Sequence, residues 1–468
     1  MSVGDEQLKI ARNSHKSVRV AGAAAMGGFL FGYDSSVING AVDAIQADFG
    51  INSTATGFVV SSALLGCAVG AWFAGPLAER WGRIRVMIVA AIVFVISALG
   101  SASAFAVWDL TLWRVLGGLA IGASSVIAPA YIAEISPAAL RGRLGSLQQM
   151  AIVLGIFAAL LVDYLIVQLA GSASAEFWLG IEAWRWMFAT AAVPAVIYGL
   201  LALKIPESPR YLVRKGRLPE ARRVLAGVVG EPDPDHKIKE IQETIAGDRP
   251  VRLGDLRGGL LGLLPIVWVG ILLSVFQQFV GINVIFYYSS TLWQAVGFSE
   301  SDATLTSVIT SVVNVVATLV AIALVDRVGR KPLLVVGAAG MTVTLAIMAV
   351  AFGTATVVDG EPRLDGAAGP IALVAANIYV FAFAATWGPV VWVMLGEMFS
   401  NRIRASALAV AAAAQWLANW LITTSFPPLS DAGLGLAYGL YTLFAALALL
   451  FVLKMVKETK GKELEQMT

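Results

Sequence analysis

LAERWGR, residues Leu77 to Arg83, comes back as LVDRVGR at Leu324 to Arg330, and each copy directly follows an apolar run of bilayer length. Glu134 and Arg141 stand seven apart in EISPAALR, as do Glu397 and Arg404 in EMFSNRIR. PESPRYL, from Pro206, and KETKGKEL, from Lys457, follow the sixth and the last apolar runs. Basic turns that only anchor helices to anionic lipid would explain the charges but not the spacing. Three paired motifs at matching places point to a duplicated chain.

The runs between these motifs set the fold class. Of 468 residues, 58% are hydrophobic and 14% charged, and the mean hydropathy is +0.78. Twelve apolar stretches long enough to span roughly 30 Å of hydrocarbon lie at approximately 18–41, 54–77, 84–105, 109–133, 144–168, 184–204, 260–292, 303–325, 332–353, 368–395, 405–424 and 432–454. An all-α integral membrane protein is expected. It has six spans in residues 1–204, a polar linker at 205–259, and six spans with a short tail at 260–468. Within the linker, ARRVLAGVV and HKIKEIQETIAG read as short amphipathic helices.

Basic residues orient the chain. Thirty of the 33 Lys and Arg lie in the amino-terminal tail, alternate loops and the carboxy-terminal tail; the exceptions are Arg114, Arg185 and Arg363. The positive-inside rule therefore puts both termini in the cytoplasm, with the plasma membrane the expected location. Cys67, the lone cysteine, excludes an intrachain disulfide and reads as packing. No phosphate-binding glycine loop, metal cluster or nucleophile–base set occurs, so ATP drive, a cofactor and an enzyme are not expected.

Near the basic turns, Glu79 with Arg80, Arg83 and Arg85 can clamp neighbouring helix ends. Together with Glu134, Arg141, Asp326, Arg327, Arg330, Glu397 and Arg404 they form a candidate cytoplasmic gate, closed by ion pairs at a low-dielectric boundary.

Two charges lie deep in the spans. Asp34, in FGYDSSVING, follows the uncharged run AGAAAMGGFLFGY, and Arg114 sits in the fourth span. A carboxylate at membrane depth costs roughly 2.5 to 3.5 kcal/mol, and pairing the two lowers that cost. Arginine keeps its proton while an aspartate can gain one, so a pair whose environment changes can couple proton flow to transport. A permanent pair that aids packing is the plainer reading.

The polar residues within the spans are otherwise mostly neutral. Gln149, Gln277, Gln278, Asn283, Asn314 and Gln415 each carry an amide that donates and accepts, as hydroxyls do. Trp392 and Trp416 can lie against the C–H face of a sugar ring, with Phe31 and Tyr287 closing the cavity. The breaks expected at Gly281 and at Gly388-Pro389 fall beside these residues. Single amides also bridge helices and tryptophans also anchor at interfaces. Six amides on four spans nonetheless describe a cavity for a neutral polyhydroxylated ligand.

At these motifs the chain resembles the sugar porter family of the major facilitator superfamily. LAERWGR, RVLGGLAIG, YIAEISPAALRGRLGS, PESPRYL, QQFVGINVIFYY, LVDRVGRKP, WGPVVWVMLGEMF and AQWLANW carry the likeness. Glu79, where the family usually has aspartate, and Lys457, where it has proline, depart from it. The resemblance implies that Gln149, Gln277, Gln278, Asn283, Asn314, Trp392, Gln415 and Trp416 contact the sugar. It also implies that Asp34 marks a proton symporter, since facilitative carriers have asparagine there. Ile156, apolar where xylose-specific relatives carry an amide, favours D-glucose. The expected partners are the sugar, protons and the lipid bilayer, in a monomer. A uniporter, a symporter for xylose, galactose or an inositol, a sugar sensor and a drug antiporter are the alternatives.

Overall fold

The computed structural model describes residues 3–137, 141–247, 253–259, 261–358, 361–364, 366–399 and 403–459, with their side chains except at 3–15, 141–143, 247, 253, 326, 356–358, 361–363 and 405. The first six spans are α1 (Val3–Val37), α3 (Ser53–Trp81), α4 (Arg83–Ala102), α5 (Val107–Ile135), α6 (Arg141–Ala170) and the consecutive pair α7 (Ala183–Thr190) and α8 (Ala192–Ala202). A short helix, α2 (Val42–Phe49), joins the first two. The linker holds α9 (Pro209–Arg214), α10 (Leu218–Val224) and α11 (Pro234–Gly247). The last six spans are α12 (Pro265–Phe279) with α13 (Ile282–Gln294), α14 (Glu300–Val328), α15 (Arg330–Gly353), α16 (Ala368–Ala384) with α17 (Trp387–Met398), α18 (Arg404–Ala432) and α19 (Leu434–Met455). Among the described residues, eleven of these units are long and apolar enough to cross a membrane. The twelfth apolar stretch is that of α1, from Val18 onward.

Local chemistry sets the element ends. Asn52 caps α3 by accepting from Ala55 N at 2.9 Å, and Ser299 caps α14 through Asp302 N at 3.1 Å. Pro265 and Pro209 open α12 and α9, where the missing N–H costs nothing. Gly82 and Gly329, the turn glycines of the repeated motif, stand at φ +99° and +107°, a region closed to side chains. A Cβ would also meet Glu207 Oε2 at 2.3 Å and Glu458 Oε2 at 2.9 Å.

Two breaks interrupt the later spans. Gly281, at φ +84°, separates α12 from α13, and the buried Val280 carbonyl beside the break accepts from Tyr379 Oη at 2.7 Å. In the tenth span the break falls at Ala385 and Thr386, not at Gly388-Pro389. Those two residues occupy the first turn of α17, where a proline needs no N–H partner.

The chain is not wholly helical. Thr356–Val358 pairs antiparallel with Glu361–Arg363 in a two-stranded ribbon between α15 and α16, a feature absent from the sequence reading. The linker helices bury their own small core of Leu212, Val213, Ala221, Val224, Leu225 and Ile238. Of the three, α9 was not expected. The first and last six spans meet where α6 packs on α14 and α3 on α18.

Candidate functional site

Arg114 reaches across from α5 to α1, and its Nη1 donates to Asp34 Oδ1 at 3.0 Å. Both residues are buried, at 3% and 7% exposure. The Arg114 guanidinium lies 5.7 Å from the Phe188 ring centre, and its Nε has no partner. A cavity of about 10 Å³ touches both groups and is lined also by Phe31, Cys67 and Tyr287. That is about the space one water needs. A paired carboxylate beside a water-sized hollow can take up a proton from water once the pair loosens.

Tyr287 belongs to α13, and its hydroxyl bonds Asn419 of α18. Asn419 in turn accepts from Thr423 Oγ1 at 3.2 Å. Phe31 of α1 meets Trp416 of α18 edge-on, with ring centres 5.6 Å apart. Residues proposed for the proton and residues proposed for the ligand thus line one continuous region.

The amides of the seventh span form a chain. Asn283 Nδ2 donates to Gln278 Oε1 at 2.6 Å, and Gln278 Nε2 donates to Gln277 Oε1 at 3.4 Å. Gln277 Nε2 then donates to the carbonyls of Trp387 and Gly388, at 3.0 and 3.2 Å. These carbonyls belong to the first turn after the break of the tenth span, so the chain ties one break to the other. Gln277 has spent both N–H groups on it. Gln278 and Asn283 each keep one N–H for a ligand hydroxyl.

Gln149, Ile156 and Gln415 are half-buried, Asn314 is buried and Trp392 is exposed. Gln415 Oε1 is buried without a partner, an acceptor a hydroxyl would satisfy.

At the basic end, Arg83 grips Glu134 with two bonds, Nε to Oε2 at 3.0 Å and Nη2 to Oε1 at 2.8 Å. Glu207 accepts from the Arg83 and Ile84 amides at 3.0 and 3.2 Å, and Ser208 Oγ donates to Glu134. In the last six spans Arg330 grips Glu397 at 3.1 and 2.8 Å. There Glu458 accepts from the Arg330 and Lys331 amides at 3.0 and 2.9 Å, and Thr459 Oγ1 donates to Glu397 at 2.6 Å. The expected clamp of Glu79 with Arg80, Arg83 and Arg85 does not form. Glu79 pairs with Arg214 of α9 at 2.9 Å, because the linker folds back under the turn. Arg80 is exposed, and its carbonyl accepts from Tyr211 Oη at 3.5 Å. Arg404 donates to the Phe399 carbonyl from Nε and Nη2, both at 3.3 Å. Arg327 is exposed and engaged. The side chains of Arg141 and Asp326 lie outside the described residues.

The opposite end is latched across the two sets of spans. Asn39 Nδ2 donates to the Phe286 carbonyl at 3.0 Å, and Ser290 N donates to Asn39 Oδ1 at 3.2 Å. Thr291 Oγ1 and Gln294 Nε2 donate to the two oxygens of Asp43, both at 2.9 Å. Ala173 N donates to Glu300 Oε1 at 2.7 Å. Burial pushes the Asp43 carboxyl up to about 6, against the pull of the Thr291 hydrogen bond and with the charge of Glu300 adding to the rise.

Sequence reasoning missed Asn39, Asp43, Asn419, Glu207, Glu458 and Asp163. Glu207 and Glu458 lie inside the quoted PESPRYL and KETKGKEL, and Asn419 inside AQWLANW, so their motifs signalled them. Asp163 is a second acid deep within the spans, 1% exposed on α6. The acid in the apolar run FAALLVDYLIVQL was its signal.

Residues 20–468 match the family described as "Sugar (and other) transporter". The chain belongs to this sugar porter family of the major facilitator superfamily, a family of transporters and not of enzymes. It is 59% identical over 450 residues to a glucose transport protein of Synechocystis sp., covering 96% of both chains. It is 36% identical to a D-xylose-proton symporter of Escherichia coli, over 97% of this chain and 96% of that one. Among solved structures, the xylose transporter XylE from E. coli in a partially occluded inward-open conformation superposes with a TM-score of 0.83. That match has 35% identity and covers 96% of this chain and 100% of the other.

Proposed function

We propose that this chain imports D-glucose, or a closely similar neutral monosaccharide, together with a proton by alternating access. The observation that carries the reading is the buried Asp34–Arg114 pair beside a water-sized cavity shared with Tyr287. Desolvation opposes an ionised Asp34 and Arg114 favours it, so movement of α5 against α1 changes its proton affinity. Glucose is favoured by the apolar Ile156 and by the glucose transport protein among the relatives; proton coupling is favoured by the D-xylose-proton symporter.

Sugar binds between two rocking halves, residues 1–204 and 260–468, with the linker 205–259 bracing them. Its hydroxyls take the spare N–H groups of Gln278 and Asn283 and the free oxygen of Gln415. Gln149, Asn314 and Gly388 complete the polar contacts, and Trp392 and Trp416 cover the ring with Phe31. Both termini lie in the cytoplasm of a monomer in the plasma membrane. The latch of Asn39 and Asp43 then closes the outside.

Uptake of labelled D-glucose into proteoliposomes, with and without an inward proton gradient, tests this. Accumulation above the outside concentration, abolished by a protonophore, is expected. Equilibration regardless of the gradient would make the protein a uniporter. That second reading draws on Arg114 already neutralising Asp34 without a proton.

A further inference from the structure

Asp163 is a carboxyl without a counter-ion. Its Oδ2 accepts from Gly40 N at 3.2 Å, while Oδ1 is buried with no partner. A Cβ on Gly40 would stand 2.9 Å from Asp163 Cβ, so the turn after α1 is seated directly on this side chain. Ser36, one turn upstream, also has a buried hydroxyl with no partner.

Among the described residues the surroundings supply no cation. From α1, Tyr33 lies within electrostatic reach, its hydroxyl bonded to Thr190 at 2.8 Å. On α5, Arg114 is committed to Asp34, and Asp109 Oδ2 accepts from Phe105 N. On α7, Arg185 pairs with Asp48 and Glu182. On α14, Glu300 accepts from Ala173 N. An ionised carboxylate in such a place has too few partners to repay its desolvation, and a proton on Oδ1 removes that cost.

The turn it supports is the one that carries the latch. Asn39, beside Gly40, and Asp43, three residues on, both reach across to α13. When the latch opens, Gly40 N leaves and water reaches the carboxyl.

We propose that Asp163 is a second proton-binding carboxyl of this transporter, protonated while the latched end is shut and releasing its proton to the water on that side when the end opens. The proton comes from and returns to the same bulk phase, so Asp163 sets how readily that end closes, and adds no transported charge. It is a positioning residue: it acts through Gly40 and touches neither sugar nor Asp34. The proposal rests on the alternating-access reading and not on the role of Asp34.

Two measurements on the full-length protein test it. In infrared spectra, a protonated-carboxyl band persists above neutral pH and disappears in Asp163→Asn. Asp163→Glu moves it to the glutamate position, should the asparagine variant not fold. This arm needs no sugar, so it stands even if D-glucose is not the substrate. In proteoliposomes, exchange of labelled D-glucose slows at least about fivefold as the pH on the latched side rises above about 6, where Asp43 no longer titrates, while Asp163→Asn, which keeps the Gly40 acceptor but cannot ionise, changes less than about twofold. A band unchanged in Asp163→Asn, or parallel pH profiles, would overturn the proposal.

Discussion

At the basic end, Arg83 with Glu134, Glu207 and Ser208 is matched group for group by Arg330 with Glu397, Glu458 and Thr459. Deeper in the spans nothing matches. The first six hold an ion pair, Asp34 with Arg114, and the last six hold a chain of amides. A clamp is needed wherever two spans meet a basic turn, so duplication kept it in both copies. The interior has no such common task, and one copy became a place for charge while the other became a place for hydroxyls. Tyr287 is where they meet, lining the Asp34 cavity while bonded to Asn419.

The contrast can be broken most decisively at Asp34. Asp34→Asn abolishes proton-driven accumulation and leaves sugar exchange running; full accumulation in proteoliposomes would remove the charge from the mechanism. Next come the clamps. Arg83→Ala leaves Glu134 buried with little compensation and costs about 3 kcal/mol. Arg330→Ala costs roughly half as much, since Glu397 is 33% exposed against 16% for Glu134. Equal losses on thermal unfolding would deny the difference.

On the amide side, Gln278→Ala and Trp392→Ala each weaken sugar binding about tenfold, read by calorimetric titration. Gln277→Ala also lowers the melting temperature, because it frees two carbonyls of the tenth span. The latch gives a pH test. A carboxyl near 6 when shut, against an ordinary 3.8 when exposed, binds its proton more tightly in the shut state. The share of Asp43 in closure is therefore favoured by acid and weakens as pH rises from about 3.8 to about 6, and this carboxyl adds no further change above that. Asp43→Asn removes that slope, which accessibility of a cysteine introduced at the latch would report. The smallest effect belongs to the exposed Glu79–Arg214 pair, where Glu79→Ala costs under about 1 kcal/mol.

The repeat was legible because spacing is a one-dimensional property. Glu134 and Glu397, Arg83 and Arg330 could be paired by counting. Gly281 could be placed because a glycine among apolar residues weakens a span. The break of the tenth span could not be placed to the residue, since Pro389 is tolerated in a first turn. Glu79 was assigned its neighbours in sequence, but its partner comes from a linker helix whose path only packing decides. The latch was invisible for a related reason: Asn39 and Asp43 are ordinary polar residues near a span end until α13 lies against them. Asp163 was legible and was overlooked, its apolar run being read as a whole.

Asn39 takes hold of α13 only by main-chain atoms, the Phe286 carbonyl and the Ser290 amide. Every residue but proline offers both groups. Side chains on α13 other than Thr291 and Gln294, which hold Asp43, can therefore drift, one mutation at a time, toward another sugar while the outer door keeps its bolt. A lineage carrying this latch can change its diet without first rebuilding its gate.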